Sequence, residues 1–369
     1  MNVPSLELKP AYEELRGALD AAYRRVMDSG RYLFGPELEA FESEYAHSVG
    51  TAHCVGVANG LEALQMALMA MGVGPGDEVV VPSNGYIATW LAATHVGATV
   101  VPCEPDEKTY NLDPHRLESV LTEKTKAVIP INLYGQAADV DAITAIARAR
   151  SVLVLEDAAQ SHGASYRGRQ AGSLADAAGV SFYPTKNLGA FADAGAVTTS
   201  NTELAEKIRF IRNYGSKIRY QNEVVGLNSR LDELQAAFLR VRLARLDEWN
   251  TRRRRLATIY LHQLHGVGDL ILPCVPPWSE PVWHLFVVRT AKRDALRRHL
   301  AALGIGTDIH YPTPPHLSGA YLFRGWKPGD FPIAERLASE VVSLPIGPHL
   351  TTEQVDFVCA GVRSFFPHA

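Results

Sequence analysis

The sequence predicts an α/β fold built on a mainly parallel sheet, followed by a smaller α+β part. Short apolar runs rich in β-branched residues alternate with helical segments between residues 55 and 200. Such alternation is typical of a parallel sheet with helices on both faces. The chain has 369 residues, enough for two cores. We therefore expect a large domain over residues 1–245 and a small C-terminal domain over residues 246–369.

The large domain is expected to begin with helices and continue with strands. An amphipathic helix from about Ala11 to Asp28 ends at Ser29-Gly30, and a second helix follows Pro36. Helices are also predicted in LEALQMALMAMG and DVDAITAIARAR, which begin at residues 61 and 139. The strands are predicted in VGV, EVVVPS, TVVPC, KAVIPINLYG, SVLVLEDAA, GVSFYP and GAVTTS, which begin at residues 55, 78, 99, 126, 151, 179 and 195.

A long, charged helix over residues 231–264 is expected to bridge the two domains. Beyond it, the sequence predicts a strand in HLFVVRT, a helix in RDALRRHLAALG and a final helix starting near Thr352. The consecutive arginines Arg252–Arg255 would spread round all faces of the bridging helix. That spread favours a solvated or subunit-facing surface over a nucleic-acid site.

Composition points to an ordinary globular enzyme without nucleic acid or membrane as its main partner. The chain has 36 basic and 40 acidic residues, giving a net charge of −4. Its four cysteines are scattered without CxxC spacing, so neither a disulfide framework nor a zinc site is expected. The N-terminus lacks an apolar signal region, and no apolar run reaches the length of a membrane span, so a cytoplasmic location is expected.

A carboxylate closes one of the predicted buried strands. SVLVLEDAA ends in Glu156-Asp157, where ligands of α/β sheets collect. A carboxylate at this depth needs a cationic partner. A protonated pyridine nitrogen is one such partner, because it would stay cationic beside Asp157 and act as an electron sink. A helix cap or a structural ion pair is the other interpretation.

A lysine follows 29 positions later, again at the end of an apolar run. Lys186 lies in SFYPTKN, where Pro184 and the following Asn-Leu-Gly predict a tight turn. A lysine desolvated in this way has a lowered pKa and an amine that attacks aldehydes. Most lysines are exposed surface residues; the turn and the upstream Asp157 favour a functional role here.

Two further segments follow predicted strands. Asn59-Gly60 enters an apolar helix, whose N-terminal N–H groups can bind a phosphate, although a simple helix cap explains the pattern equally well. Tyr86, after EVVVPS, could stack on a cofactor ring or serve only in packing. Neither a GxxxxGK[ST] loop nor a GxGxxG motif after a strand is present, which argues against an ATPase and an NAD-dependent dehydrogenase.

Taken together, these segments resemble the DegT/DnrJ/EryC1 family of nucleotide-sugar aminotransferases, which depend on pyridoxal 5′-phosphate (PLP). The most specific segments are EDAAQSHGA, SFYPTKN and NSRLDELQAA, and the resemblance covers essentially the whole chain. It implies the aspartate-aminotransferase fold (PLP fold type I). Within the family, NGLEAL, INLYGQ, PVWHLF and IHYPTPPH resemble the aminotransferases that act at C-3 of dTDP-linked keto-deoxysugars.

The resemblance also implies a role for individual residues. Lys186 would carry the cofactor as a Schiff base and act as acid and base, and Asp157 would pair with the pyridine nitrogen. The remaining cofactor contacts would be Gln160 at the phenolic oxygen, Tyr86 on the ring, Gly60, Leu61 and Ser181 at the phosphate, and Asn228 at the phosphate of the neighbouring subunit. The residues expected near the sugar nucleotide are Tyr183, Lys217, Tyr220, His310 and Tyr311.

The implied reaction takes the amino group of L-glutamate to a dTDP-linked 3-keto-6-deoxyhexose, in a homodimer with shared active sites. In sugar dehydratases of the family a histidine replaces the Schiff-base lysine, so the intact Lys186 favours transamination. Transamination at C-4 of the sugar is the alternative on the same fold. A non-catalytic, PLP-binding regulatory protein is the alternative from another class, and it would need partner-binding sequence outside the fold, which this chain lacks.

Overall fold

The computed structural model describes residues 1–218 and 220–366. Within these ranges the strands are β1 (His53–Val57), β2 (Glu78–Pro82), β3 (Thr99–Cys103), β4 (Thr125–Val128), β5 (Leu153–Asp157), β6 (Ser165–Tyr166), β7 (Arg169–Gln170), β8 (Ala177–Ser181), β9 (Gly195–Thr199), β10 (Ser216–Ile218), β11 (Gln221–Asn222), β12 (Ser279–Glu280), β13 (Phe286–Arg289) and β14 (Val341–Leu344). The α-helices are α1 (Lys9–Ser29), α2 (Pro36–Val49), α3 (Gly60–Ala70), α4 (Ala88–His95), α5 (Pro114–Val120), α6 (Val140–Ala149), α7 (Thr202–Ile211), α8 (Glu233–Leu243), α9 (Leu246–Gln263), α10 (Arg293–Ala302), α11 (Pro332–Glu340) and α12 (Thr352–Phe365).

The largest sheet of the described chain has seven strands in the order β1-β9-β8-β5-β4-β2-β3. Strands β8, β5, β4, β2 and β3 are parallel, whereas β9 runs antiparallel to both of its neighbours, β8 and β1. The predicted mainly parallel sheet is therefore confirmed. Smaller antiparallel pairs form elsewhere, among them β13 with β14.

Helices cover both faces of this sheet. Along β2, Val79 and Val81 pack into a cluster that contains side chains of α3, α4 and α7, whereas Val80 packs into one that contains side chains of α5 and α6. Alternate residues of a strand face opposite sides, so a run of valines is needed to bury both. This explains why EVVVPS reads as continuously apolar.

The structure divides the predicted bridging helix into two helices. Helix α8 ends at Leu243 and α9 begins at Leu246, because the N–H of Arg245 binds the carbonyl of Arg242, three residues back. The expectation of one continuous helix was wrong, since a tighter turn without glycine or proline leaves no mark in the sequence. One arginine of Arg252–Arg255 departs from the expected solvated or subunit-facing surface. Arg253 is buried and donates a hydrogen bond to the carbonyl of Trp283, so it is not solvated.

A separate hydrophobic cluster gathers side chains from α9 to the end of α12. It also includes Val3, which pairs with Ile305 and exchanges backbone hydrogen bonds with Gly304 and Gly306. The N-terminal segment thus packs with the C-terminal part of the chain. A boundary at residues 245 and 246 stays a prediction. None of the helices in the described ranges is both long and apolar enough to cross a membrane.

Helix α2 has its N-terminus held by a residue far away in sequence. The carboxylate of Glu233, at the start of α8, accepts from the N–H groups of Gly35, Glu37 and Leu38 over 2.8, 2.9 and 3.1 Å. These are donors that a helix cannot satisfy within itself. A Cβ at position 35 would lie 2.7 Å from this carboxylate, so a larger residue there would displace it from the helix N-terminus.

Candidate active site

A cavity of about 560 Å³ opens where the strands of the large sheet end. Asp157 is the last residue of β5, Ser181 is the last residue of β8, and Gly60 opens α3 directly after β1. Ten of the predicted site residues line this cavity: Gly60, Leu61, Tyr86, Asp157, Gln160, Ser181, Tyr183, Lys186, His310 and Tyr311. The carboxyl edge of an α/β sheet is the expected place for a ligand.

Lys186 lies in the turn that follows β8. Its backbone N–H binds the carbonyl of Tyr183 over 2.8 Å, which closes the turn that Pro184 predicts. The side chain reaches the cavity, and burial lowers the pKa of its amine from 10.5 to about 8, against the opposing attraction of Asp157. A larger share of the amine is therefore neutral and nucleophilic near neutral pH than for an exposed lysine.

Asp157 has donors on both carboxylate oxygens. Thr89 Oγ1 donates to Oδ2 over 2.6 Å, and the N–H of Ala159 donates to Oδ1 over 3.1 Å. Burial raises the pKa of this carboxyl, whereas Thr89, Ala159 and the charge of Lys186 lower it. Such a carboxylate is suited to a cationic ring nitrogen, which would replace some of the lost solvation.

Gln160 is oriented by the loop after β4. Its Oε1 accepts from the N–H of Tyr134 over 2.7 Å, and its Nε2 donates to the hydroxyl of Tyr311 over 3.0 Å. Because a backbone N–H must face the oxygen, the amide nitrogen is the end turned toward the cavity side of the residue. It can donate its second hydrogen to an oxygen on a bound ring.

The entry to α3 forms a cradle with the end of β8. Asn59 caps the helix by accepting from the N–H of Glu62 over 2.9 Å, which leaves the N–H groups of Gly60 and Leu61 at the helix N-terminus. A Cβ at Gly60 would lie 2.6 Å from the Cβ of Ser181, so only glycine permits this approach. A helix N-terminus beside a serine hydroxyl fits a phosphate group.

Aromatic side chains close the cavity from the side of β2. The rings of Tyr86 and Tyr311 lie 5.2 Å apart at 36°. Tyr86 is 55% exposed, so a broad aromatic face is open to a ligand. His310 lines the same wall, with its Nδ1 2.8 Å from Ser343 Oγ. This wall can cover the flat face of an aromatic cofactor.

Three predicted residues lie outside this cavity. Asn228 is exposed and pairs through its backbone with Asn213. Lys217 is exposed in β10, with its Nζ 5.4 Å from the ring centroid of Phe210. Tyr220 is 83% exposed beside the same strand pair. The single chain thus does not bring these residues to Lys186.

Among the cavity residues that the sequence did not predict, two are polar and buried. Thr89 follows Tyr86 in SNGYIAT, and its contact with Asp157 spans 68 positions. His284 lies in PVWHLF, 97 positions from its partner Asn187. A polar residue inside an otherwise apolar segment was the available signal in both places. Only the fold shows which partner each side chain meets.

The site and fold define a class of protein. A cavity lysine that attacks aldehydes, a buried carboxylate for a ring nitrogen and a phosphate cradle are together the parts of a PLP-dependent aminotransferase. The chain belongs to the DegT/DnrJ/EryC1/StrS aminotransferase family, whose family model matches residues 14–363.

Similar proteins and structures agree with this assignment over nearly the whole chain. A dTDP-3-amino-3,4,6-trideoxy-α-D-glucose transaminase of Streptomyces venezuelae is 54% identical over 363 residues, which cover 98% of this chain and 96% of the relative. A dTDP-3-amino-3,6-dideoxy-α-D-galactopyranose transaminase of Aneurinibacillus thermoaerophilus is 47% identical over 98% of this chain and 99% of its own length.

Among solved structures, DesV of S. venezuelae in complex with a ketimine intermediate has a TM-score of 0.98 at 54% identity, covering 100% of this chain and 99% of DesV. NtdA of Bacillus subtilis, with bound cofactor PMP, has a TM-score of 0.93 at 30% identity, covering 100% of this chain and 86% of NtdA. The expected family and aminotransferase fold are thereby confirmed.

Proposed function

We propose that this enzyme moves the amino group of L-glutamate to the C-3 keto group of a dTDP-linked 3-keto-6-deoxyhexose, for deoxyaminosugar biosynthesis. The main support for this proposal is the 54% identity to a dTDP-3-amino-sugar transaminase over 98% of the chain, together with an intact Lys186 in the cavity. A relative acting on the galacto-configured sugar is 47% identical, so both sugars belong to the chemical range to be tested.

Different cavity residues would bind different groups of PLP. Lys186 would bind its aldehyde, Asp157 its ring nitrogen and Gln160 its phenolic oxygen, while Gly60, Leu61 and Ser181 would hold the phosphate. When bound, PLP supplies an electron sink for a carbanion. Borohydride reduction of the holoenzyme should fix the cofactor to Lys186, as detected by peptide mass spectrometry. A label on another lysine would contradict the proposal.

Lys186 would also move the proton. Its amine lies in the cavity, where it would take a proton from the substrate carbon and return one to the product. The pKa of about 8 supports this role, since a neutral amine is available at neutral pH without losing its basicity. Asp157 would keep the ring nitrogen protonated throughout, which is why its ionised form is needed.

Asn228 would complete the active site of a second subunit in a homodimer. Its exposure, together with exposed apolar side chains nearby such as Ile218 at 60% and Val225 at 89%, supports a covered surface in the assembly. Lys217 and Tyr220 are proposed to reach the sugar nucleotide from this same region, where the charge of Lys217 suits a diphosphate. Tyr183, His310 and Tyr311 would contact the sugar from within the cavity.

A mixture of two inactive variants tests the shared site. A Lys186→Ala chain and an Asn228→Ala chain, refolded together, should form hybrid dimers with one site that lacks both groups and one intact site. We expect activity to return in the mixture, to as much as half of the wild-type value per hybrid dimer. If Asn228 served its own subunit, every site of the hybrid would stay defective and no activity would return.

The sugar is identified by a direct assay. Purified enzyme with glutamate is offered dTDP-linked 3-keto sugars in galacto, gluco and 4-deoxy forms, together with a dTDP-linked 4-keto sugar, and the products are identified by NMR. Amination at C-3 supports the proposal. Amination only of the 4-keto substrate would establish the alternative, a C-4 aminotransferase.

A further inference from the structure

A row of buried polar side chains runs from behind Lys186 to the wall of the cavity. His284 lines the cavity, and its Nδ1 lies 3.2 Å from Oδ1 of Asn187, the residue after Lys186. Asn187 Nδ2 donates to Oδ1 of Asn250 over 2.9 Å. All three side chains are buried, at 7%, 5% and 1% exposure, so each polar atom needs a defined partner.

Two backbone carbonyls decide which way these side chains point. The carbonyl of Val282 lies 3.0 Å from Asn187 Nδ2, and the carbonyl of His162 lies 2.8 Å from Asn250 Nδ2. A carbonyl can only accept, so both of these amide ends must be the NH₂ groups. Asn187 Oδ1 is then an acceptor, and His284 Nδ1 must donate to it.

The ring of His284 is therefore held in one tautomer. With the proton on Nδ1, the neutral ring carries a lone pair on Nε2. No residue in the described ranges hydrogen-bonds to that atom, while the ring itself faces the cavity. Burial, reinforced by the charges of Lys186 and Arg253, lowers the pKa of His284 well below its ordinary value, so the ring stays neutral.

The backbone around His284 is as firmly placed as its ring. The N–H of Val282 binds the carbonyl of Gly135 over 2.9 Å, and Arg253 Nη1 donates to the carbonyl of Trp283 over 3.1 Å. A Cβ at Gly135 would lie 2.8 Å from the backbone nitrogen of His284, so the two segments touch. A rigidly supported side chain at a cavity wall is suited to selecting a ligand group.

We propose that His284 orients the amino-acceptor sugar, with Asn187 holding its ring so that Nε2 accepts a hydrogen bond from a sugar hydroxyl in the cavity. This inference rests on the proposed function, because it takes a hydroxylated sugar as the acceptor. His284 is a positioning residue in this scheme, and Asn187 acts through it.

The fixed tautomer also separates the two substrates by their chemistry. A lone pair attracts a hydroxyl hydrogen and repels a carboxylate, which has lone pairs only. Glutamate has two carboxylates that could occupy this part of the cavity, whereas the sugar ring has hydroxyls. His284 should therefore contribute to the half-reaction with the sugar more than to the half-reaction with glutamate.

The tautomer is tested without reference to activity. Long-range ¹H–¹⁵N spectra of holoenzyme labelled at histidine should contain one neutral ring, protonated at Nδ1, that disappears in His284→Gln. His265→Gln, at an exposed histidine, serves as the control and should remove a different signal. If the signal lost with His284 belongs to an Nε2-protonated ring or to an imidazolium, the inference is overturned.

Single-turnover kinetics test the orienting role. We expect His284→Phe to slow the sugar half-reaction by about tenfold and to slow the glutamate half-reaction less. His284→Gln can place an acceptor near the Nε2 position, so it should recover part of the loss. Equal losses in both half-reactions, or no difference between Phe and Gln, would overturn the orienting role.

The same experiments separate this inference from the proposed function. If wild-type enzyme completes the glutamate half-reaction but aminates none of the dTDP-ketosugars, the proposed function fails, and the orienting role fails with it. If wild type aminates a ketosugar and His284→Phe does so at an unchanged rate, only the inference about His284 fails.

Discussion

Replacing Thr89 with valine should weaken the central carboxylate of the site while preserving the packing around it. Thr89 is 1% exposed, and its hydroxyl donates to Asp157 over 2.6 Å. A hydrogen bond to a charged group contributes about 1.5–3 kcal/mol, and about 1.4 kcal/mol corresponds to a factor of ten. Thr89→Val should therefore slow the half-reaction with glutamate by roughly 10- to 100-fold.

The pH dependence gives this prediction a sign as well as a size. The Thr89 hydroxyl stabilises the ionised form of Asp157, so it lowers the pKa of a carboxyl that burial raises. Its removal raises that pKa further, and the carboxyl takes up a proton at higher pH than before. Because the proposed role of Asp157 needs the carboxylate, the acid limb of the pH–rate profile should move to higher pH.

The assay is a stopped-flow measurement of the glutamate half-reaction across pH, followed by the change in cofactor absorbance. Thr89→Ser is the matched control, because it keeps the donor and loses only a methyl group. It should remain close to wild type in rate and in the position of the acid limb. A Thr89→Val profile that superimposes on the wild-type profile would refute the role given to this hydrogen bond.

Three further predictions concern the cradle, the lysine and a neighbouring carboxyl. A methyl group on Gly60 would lie 2.6 Å from Ser181 Cβ, so titration of Gly60→Ala apoprotein with PLP should show affinity lowered about tenfold or more. Burial lowers the pKa of Lys186 to about 8, so the rate of PLP uptake, followed at the imine band, should rise as the pH passes through that value. The charge of Asp157 raises this pKa, so Asp157→Asn should move the midpoint of the pH–rate curve to lower pH. Burial raises the pKa of the Glu156 carboxyl from 4.5 to about 7, so the folded chain binds this proton more tightly than the unfolded chain does. The contribution of Glu156 to the free energy of unfolding therefore falls as pH rises between those two values. Glu156→Gln should remove this part of the pH dependence of the free energy of unfolding, as measured by urea titrations at several pH values.

These predictions have their own controls and contrary outcomes. Gly17→Ala, in α1 with nothing within 4 Å of the new Cβ, should leave PLP affinity unchanged and stabilise the chain by about 0.5–1 kcal/mol. Wild-type affinity in Gly60→Ala would contradict the phosphate cradle. An uptake midpoint near the ordinary lysine pKa would contradict the desolvation of Lys186. A wild-type slope in Glu156→Gln would assign the pH dependence to other groups.

Much of this architecture could be predicted because it depends on local patterns. The parallel strands follow from runs such as EVVVPS, in which both faces of a strand must be apolar. Lys186 and Asp157 could be paired because each closes an apolar run, and strand ends of one direction meet at one edge of a sheet. Gly60 follows from the same reasoning applied to helix α3.

What could not be predicted depends mostly on contacts between distant segments. The donor that Thr89 gives to Asp157 and the tautomer that Asn187 imposes on His284 arise only when separate strands and loops meet. The turn between α8 and α9 is made by one backbone hydrogen bond at Arg245, without a glycine or proline to mark it. The single chain leaves Asn228 at the surface, outside the cavity that holds Lys186.

The cap on α2 has a consequence for how the chain folds as it is synthesised. Glu233 leaves the ribosome 198 residues after Gly35, which at cellular elongation rates of about 5–20 residues per second is a delay of roughly 10–40 seconds. Until then α2 has three N–H groups without their native acceptor, and β1 lacks its partner β9 until residues 195–199 have also emerged. Helix α2 is thus among the first elements to emerge and among the last to reach its final contacts.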